Sequence, residues 1–369
     1  MKVLFQSRTT LFSVPGGDTV QMIKTAEYLR RLGVAVDIST DLEPNLDGYD
    51  LVHLFNLIRP QEVYLQARNA KGAGKPVVLS TIYADYSEFD RKGRVGAGRL
   101  VSNIFSTSQL EYLKVLGRGL KNREVNKGTA ALLCNGYRAL QHKVIAMTDV
   151  FLPNSASEMR RVIKDFPACA QGCYVVVPNA VDTTLFDYNG TADASEFKCY
   201  QGCVLCVGRI EGIKNQLNLV RAMRDLPWTL VLVGKPAPNH VGYYEQIVRE
   251  AGPNVHIIGQ LGHEKLARLY KVARVHCLVS WMETTGLSSL EAGVMGCNLT
   301  ITNKGDTRDY FQDLAFYCEP DLVESIRDAI VRAYQAPVNP GLRQHVIDNF
   351  TWEKAAEKTL EGYRHALRS

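Results

Sequence analysis

No stretch of this 369-residue sequence is apolar for long enough to cross a bilayer. The longest run without a charged residue, 166–181, is 16 residues long and contains Pro167 and Pro178. A spanning helix needs about 20 apolar residues. A secretory leader is not expected, because Val3, Leu4 and Phe5 are the whole apolar stretch between Lys2 and Gln6. No short-period repeat or low-complexity tract is present, which excludes a solenoid. No Asp-x-Asp follows a buried strand, so no obligatory divalent metal is expected. The nine cysteines are an odd number. Without a leader they point to a reduced compartment, the cytoplasm. What remains is ordinary for a globular protein: 46% apolar and 22% charged residues. The length suggests two domains.

Acidic residues are scarce in one place. Between Arg91 and Lys143 stand Arg91, Lys92, Arg94, Arg99, Lys114, Arg118, Lys121, Arg123, Lys127, Arg138 and Lys143, opposed only by Glu111 and Glu124. This window carries +9 in a chain of net +5, which leaves the remainder at −4. A basic region can be a solvated face, a subunit contact, a nucleic-acid site or a contact for anionic lipid. It contains no nucleic-acid-binding module or aromatic ladder, so nucleic acid is not expected as a partner.

The order of elements is α/β. Lys2–Gln6 reads as a strand and the segment from Val20 as a helix that stops at Gly33, followed by a strand over 34–38. Leu51–Phe55 and 76–80 read as buried strands. Val144–Met147 and 150–152 are apolar and closely spaced, and 174–177 is another buried run. A second series follows. Strands are expected at 204–207, 228–233, 255–258, 275–279 and 298–302, and helices at 216–223, 243–250, 264–271, 288–295 and 322–334. Runs apolar on both faces indicate parallel sheets covered by helices. Two doubly wound sheets in tandem bind ligands beyond the carboxyl ends of their strands.

Three loops at such ends could carry chemistry. Gly208–Asn215 places Arg209 and Lys214 five residues apart on a turn entering a helix, a pairing suited to a diphosphate. Taken alone, a solvated basic turn is the commoner meaning. Glu283–Glu291 places two carboxylates eight residues apart around Gly286, which permits close approach to the backbone. The amides of Thr285 to Leu287 could face an anion. The carboxylates suit sugar or ribose hydroxyls, and an acid near a helix N-terminus could equally complement the dipole. The paired glycines Gly16 and Gly17 follow the first strand and permit positive φ. Their turn is not the dinucleotide fingerprint, so no nicotinamide cofactor is indicated. His53 ends a strand and could face the cleft, although a lone histidine in an apolar strand is more often a satisfied core residue.

These motifs, in this order, resemble the family 4 glycosyltransferases of GT-B fold. The resemblance extends over nearly the whole chain. It takes in the Gly-Gly turn, Pro153–Asn154–Ser155, Pro178–Asp182, Val207–Gly208–Arg209 with Lys214–Asn215, the Glu283/Glu291 pair and Phe350–Glu353. It implies two Rossmann-like domains facing a cleft. An acceptor-side domain would occupy 1–180, with the basic insertion at about 91–143 and a returning C-terminal helix at about 352–369. A nucleotide-sugar domain would occupy 181–351. It further implies a retaining hexosyltransferase that moves a hexose from a UDP-sugar, or second a GDP-sugar, to a glycan or lipid-linked acceptor in cell-surface polysaccharide synthesis. The nucleotide sugar is a co-substrate and no cofactor is implied. On this resemblance Arg209 and Lys214 would neutralise the diphosphate, Glu283 would face the donor sugar and Glu291 would hold the ribose. Thr285, Gly286 and Leu287 would contact sugar or phosphate, and Leu261 the base. Gly208 and Gly234 would line the donor side, with Gly16 and Gly17 closing on the diphosphate.

Thr284 and Thr285 stand where the family usually has a small residue and Phe, which would make the donor pocket more polar. Lys304–Arg308 replaces a paired glycine, and Asp85 stands near where many members carry a histidine. Asp85 could be an acceptor-side base or a structural loop residue. Among five clustered cysteines, only Cys203 and Cys206 have zinc-pair spacing. Lipid-linked acceptors are common among similar enzymes, so the basic window is expected to meet the cytoplasmic face of an anionic membrane, each cation adding about 1 kcal/mol near the surface. Two alternatives are a non-catalytic nucleotide-sugar or glycan-binding protein of the same fold and a sugar-nucleotide epimerase. The paired glutamates and cations argue against the epimerase.

Overall fold

The computed structural model describes residues 1–93, 109, 112, 117, 127–190, 193–238 and 240–368. Arg94, Arg99, Lys114, Arg118, Lys121 and Arg123 of the basic window lie outside these residues, as does most of 109–116, whose sequence reads as helical. Among the described residues, no helix is long and apolar enough to cross a membrane. The chain divides into two compact units. One comprises Met1–Ala84, Leu100–Asn179 and Trp352–Ser369, and the other Asp85–Arg99 and Ala180–Thr351. The sequence reading kept 91 onward with the first unit, whereas the segment from Asp85 to Gly93 packs on the second.

The first unit holds a six-stranded parallel sheet in the order β2-β1-β3-β4-β5-β6. Its strands are β1 (Lys2–Gln6), β2 (Ala35–Ser39), β3 (Leu51–Phe55), β4 (Val77–Ser80), β5 (Val150–Phe151) and β6 (Cys173–Tyr174). Every residue of β3 and β4 is buried, as central parallel strands require. The helix Gly17–Arg31 stops before Gly33, which takes φ +80°. Ser155 caps the helix Ala156–Asp165 by accepting from the Glu158 amide at 2.8 Å. This is the structural work of the Pro153–Asn154–Ser155 motif.

Two apolar runs differ from their reading. Val144 and Ile145 complete a helix, Tyr137–Ala146, because they share its buried face with Tyr137, Leu140 and Gln141. The strand near 174 is only Cys173–Tyr174. It is exposed at the sheet edge, and Val175 and Val177 are buried beyond it.

The helix Trp352–Ala366 returns to the first unit, as the fold class implied. Its fully buried Tyr363 places its hydroxyl 2.7 Å from His53 Nδ1, while Ser80 Oγ lies 2.9 Å from Nε2. Burial pushes the imidazole down to about 3, so it is neutral, with one nitrogen donating and the other accepting. His53 is a core residue that ties this helix to β3.

The second unit repeats the architecture in the order β12-β11-β10-β7-β8-β9, all parallel. Its strands are β7 (Val204–Val207), β8 (Leu230–Val233), β9 (Val255–Ile257), β10 (Val275–Leu278), β11 (Asn298–Thr302) and β12 (Phe316–Cys318). Apolar cores cover both faces, one around Leu205, Leu299 and Ile301 and the other around Val204, Leu232 and Cys277. From β7 the chain winds outward through β8 and β9, then crosses to β10 on the other side. The switch point is therefore β7/β10, where a doubly wound sheet binds its ligand.

Candidate active site

The two loops leaving the β7/β10 switch point are Gly208–Asn215 and Val279–Gly286, the two acid- and cation-bearing motifs read from the sequence. Each is shaped by a backbone contact that only glycine allows. Gly208 and Gly234, at φ +157° and +152°, bring the loops after β7 and β8 together. A Cβ on Gly234 would collide with the Gly208 carbonyl. Beyond them, Ile210 donates to the Lys235 carbonyl at 2.9 Å and Ala237 to the Ile210 carbonyl at 3.1 Å. The base of Arg209 is thereby fixed while its side chain stays exposed, 3.2 Å from Glu211 Oε1.

Lys214 ends a short 3₁₀ turn, Gly212–Lys214. Asn215 follows in the left-handed region at φ +61°. Its buried amide donates to the carbonyls of Val279 at 3.0 Å and Pro320 at 2.7 Å, which ties the turn to the loop after β10. Lys214 Nζ lies 2.5 Å from Glu283 Oε1, and Ser280 Oγ donates to the same oxygen at 2.6 Å. Glu283 is 6% exposed. Its backbone is held by Asp306, whose amide donates to its carbonyl at 2.9 Å. Gly305 lies so close that a Cβ there would overlap the same carbonyl.

Gly286, at φ +73°, opens the helix Leu287–Val294 and leaves no room for a Cβ beside Leu278. Thr285 is buried, and its hydroxyl lies 3.2 Å from that of Tyr310. Its polarity is thus engaged inside the unit. Glu291, four residues into the helix, accepts from Tyr270 Oη at 3.1 Å. Burial pushes its carboxyl up to about 8, against the opposing pull of that hydrogen bond. Leu261 is half-buried against the core in the loop after β9.

In the first unit, Gly16 is the N-cap of the helix that Gly17 opens, with φ −144° rather than a positive angle. What it provides is space, since a Cβ would approach Asp18 Oδ1 to 2.9 Å. Burial pushes the Asp18 carboxyl up, but the bidentate Arg8 fork at 2.8 and 3.0 Å and the Thr19 amide more than offset this, so it stays below its ordinary value. Asp85 belongs to the second unit. It is exposed, and its Oδ1 accepts from the Ser87 amide at 2.9 Å, a capping contact.

The structure therefore gathers Gly208, Arg209, Lys214, Gly234, Thr285, Gly286, Leu287 and the paired glutamates within the second unit. Gly16 and Gly17 belong to the first unit. The sequence reading missed Ser280, Asn215 as a tie, Gly305 as a contact glycine, and Tyr270. All nine cysteines are free. Burial pushes the Cys203 and Cys206 thiols up to about 12, away from the thiolate a metal would need.

The family described as Glycosyl transferases group 1 matches residues 194–351. A D-inositol 3-phosphate glycosyltransferase of Nocardioides sp. is 22% identical over 95% of this chain and 85% of its own length. Among solved structures, sucrose-phosphate synthase from Thermosynechococcus elongatus superposes with a TM-score of 0.74 at 17% identity, covering 100% of this chain and 99% of that one. Anabaena HepE in complex with UDP and glucose gives 0.68 at 16% identity, covering 99% of both chains. The fold is GT-B.

Proposed function

We propose that the chain transfers a hexosyl group from a nucleoside diphosphate sugar to an acceptor hydroxyl, with retention at the anomeric carbon, because residues 194–351 match the family described as Glycosyl transferases group 1. The observation that carries this reading is the placement of Arg209, Lys214 and Glu283 on the two loops of one switch point, with Lys214 and Glu283 2.5 Å apart.

Breaking the bond between the anomeric carbon and the diphosphate leaves negative charge on the departing oxygen. Cations fixed beforehand stabilise that charge most in the transition state. Lys214 projects from a turn tied down by Asn215, and Arg209 adds a planar fork at a glycine-fixed base. In this reading they carry the charge that a divalent metal would otherwise balance. Glu283 faces the sugar, where a carboxylate favours the oxocarbenium-like transition state without forming a bond to it. The acceptor hydroxyl then attacks from the face the diphosphate leaves, and its proton passes to the departing diphosphate oxygen. Glu291 meets the ribose diol, and Tyr270 orients its carboxyl. Asp85 is given no part in the chemistry, since its carboxylate caps the turn at Ser87.

UDP is the favoured carrier and GDP the second. The HepE complex with UDP and glucose supports UDP. The acceptor is a glycan or lipid-linked glycan at the cytoplasmic face of the membrane, met through the basic stretch. Calorimetric titration with UDP, GDP, ADP and CMP, repeated on Lys214→Ala, tests the donor. One diphosphate should bind, and the variant should weaken it by more than about tenfold, or 1.4 kcal/mol. Binding of none of them removes the reading's support. Hydrolysis of the donor sugar in the absence of acceptor separates an enzyme from a sugar-nucleotide-binding protein of the same fold.

A further inference from the structure

We infer that Phe89 is the positioning residue for Lys214, its ring clamping the Gly212–Lys214 turn against Trp281. The inference rests on reading Lys214 as the diphosphate ligand.

Phe89 opens a short turn of π-helix, Phe89–Gly93, that belongs to the second unit although it stands far from the donor motifs in sequence. Its ring and that of Trp281 are 6.4 Å apart, tilted by 54°. At Gly93 a Cβ would meet both rings, coming within 2.9 Å of Trp281 Cε2, so only glycine lets the segment turn here. A Cβ on Gly212 would lie 3.3 Å from Phe89 Cζ, which puts the ring directly on the backbone of the turn. The Gly212 amide donates to His240 Nδ1 at 3.3 Å. Trp281, itself 6% exposed, donates its amide to the Ile213 carbonyl at 2.9 Å. The neighbour of Trp281, Ser280, holds Glu283, and Glu283 holds the Lys214 ammonium.

The turn has little to define it from within: Lys214 donates to the Glu211 carbonyl at 2.9 Å and Asn215 to the Gly212 carbonyl at 3.2 Å. Lysine presents a point charge on a flexible stem, so its placement depends on the backbone beneath it. Phe89 adds an apolar face to a three-residue turn that contains a glycine. The segment is further tied by Glu88 to Lys304 at 3.3 Å and by Lys92 to Asp321 at 2.8 Å. Partly exposed pairs of this kind contribute little on their own. The ring is therefore the anchor.

The test uses calorimetry with UDP, or with whichever of GDP and ADP the wild type binds better, and with the matching nucleoside. If Phe89→Ala lowers the competent fraction of the turn to about one tenth, diphosphate affinity falls about tenfold. Nucleoside affinity should stay unchanged, because the base and ribose contacts do not pass through Lys214. Phe89→Leu should lose clearly less affinity than Phe89→Ala, since it keeps apolar bulk without adding an atom at Cζ, the ring atom nearest Gly212. Gly212→Ala should weaken diphosphate binding by pressing a methyl on the ring. Combined with Phe89→Ala it should add no further loss, the signature of coupled neighbours. Hydrogen exchange of the Gly212–Asn215 amides, measured without ligand, should rise in Phe89→Ala. Equal diphosphate affinity in Phe89→Ala and wild type, parallel loss of nucleoside and diphosphate, or fully additive Gly212→Ala and Phe89→Ala losses would overturn the inference. Unchanged amide exchange would overturn the clamp even if no nucleotide bound. Failure of the wild type to bind any diphosphate, with exchange raised in the variant, would instead leave the clamp and remove the donor reading. If Phe89→Ala does not fold, Gly212→Ala and Phe89→Leu carry the same comparison.

Discussion

Lys214→Met and Glu283→Gln remove the two halves of one ion pair, and they should not cost the same. The Glu283 side chain is 7% exposed and that of Lys214 25%. Taking away the lysine strands a buried carboxylate with Ser280 Oγ as its side-chain donor. Breaking a fully buried pair from one side costs about 3–5 kcal/mol. Water reaching the partly exposed lysine position reduces this to about 2–3 kcal/mol. Taking away the charge of Glu283 leaves an ammonium that can turn to water, at a cost of about 0–1 kcal/mol. At about 2–4 °C per kcal/mol, Lys214→Met should melt about 4–12 °C below wild type and Glu283→Gln within about 4 °C of it. The double variant should recover most of the lysine loss. Ligand affinity should move in the opposite sense for Glu283. Removing a carboxylate beside an anion site and releasing its ammonium should tighten nucleoside diphosphate binding about three- to tenfold, or 0.7–1.4 kcal/mol, while transfer falls. Scanning fluorimetry and calorimetry on the four proteins measure both effects. Equal melting losses in the two single variants, or weaker diphosphate binding by Glu283→Gln, would refute the reasoning.

Glu291 should make stability fall as pH rises. Its folded value near 8 stands above the ordinary 4.5, so the folded state holds a proton the unfolded chain has lost, and that stabilisation disappears between these values. Melting of wild type against Glu291→Gln from pH 5 to 9 should show wild type losing ground up to about pH 8; parallel curves would count against a raised carboxyl. Gly234→Ala should destabilise the second unit by about 1–3 kcal/mol or more, because its methyl has nowhere to go but the Gly208 carbonyl. A urea midpoint unchanged from wild type would mean the two loops are not held together. Vesicles containing anionic lipid should float the protein at low ionic strength and release it at high salt; no binding at low salt removes the membrane role of the basic stretch.

Much of the fold was legible because central parallel strands are apolar on both faces. Leu51–Phe55, Val204–Val207 and Asn298–Thr302 match their readings residue for residue. Two of the four edge strands were not legible. β12, Phe316–Cys318, is three residues long and only partly buried, and β6 is two exposed residues, so neither carries a hydrophobic period. The Val144–Ile145 run shows the ambiguity of short apolar stretches, which length and neighbouring residues must resolve. In the site, charged residues announced themselves by type and spacing. Their supports did not. Ser280, Tyr270 and Phe89 are common residue types whose roles arise from contacts with residues 3, 21 and 123 positions away or more. Gly234 was read only as lining the donor side and Gly305 only as part of a polar loop, because the carbonyl each must avoid belongs to another loop.

The tie between His53 and Tyr363 also bears on how the chain is made. The helix Trp352–Ala366 follows the whole second unit in sequence but completes the first. At about 5–20 residues per second, a ribosome needs roughly 10 to 40 s to travel from the end of the first unit's contiguous stretch to that helix. Throughout this interval β4 and β5 lack the helix that packs on them and His53 lacks its tyrosine partner. The second unit, continuous from Ala180 to Thr351 apart from its short Asp85–Arg99 piece, can close first. The unit synthesised earliest is thus the one that finishes folding last, and it is the one exposed to chaperones and proteases while translation continues.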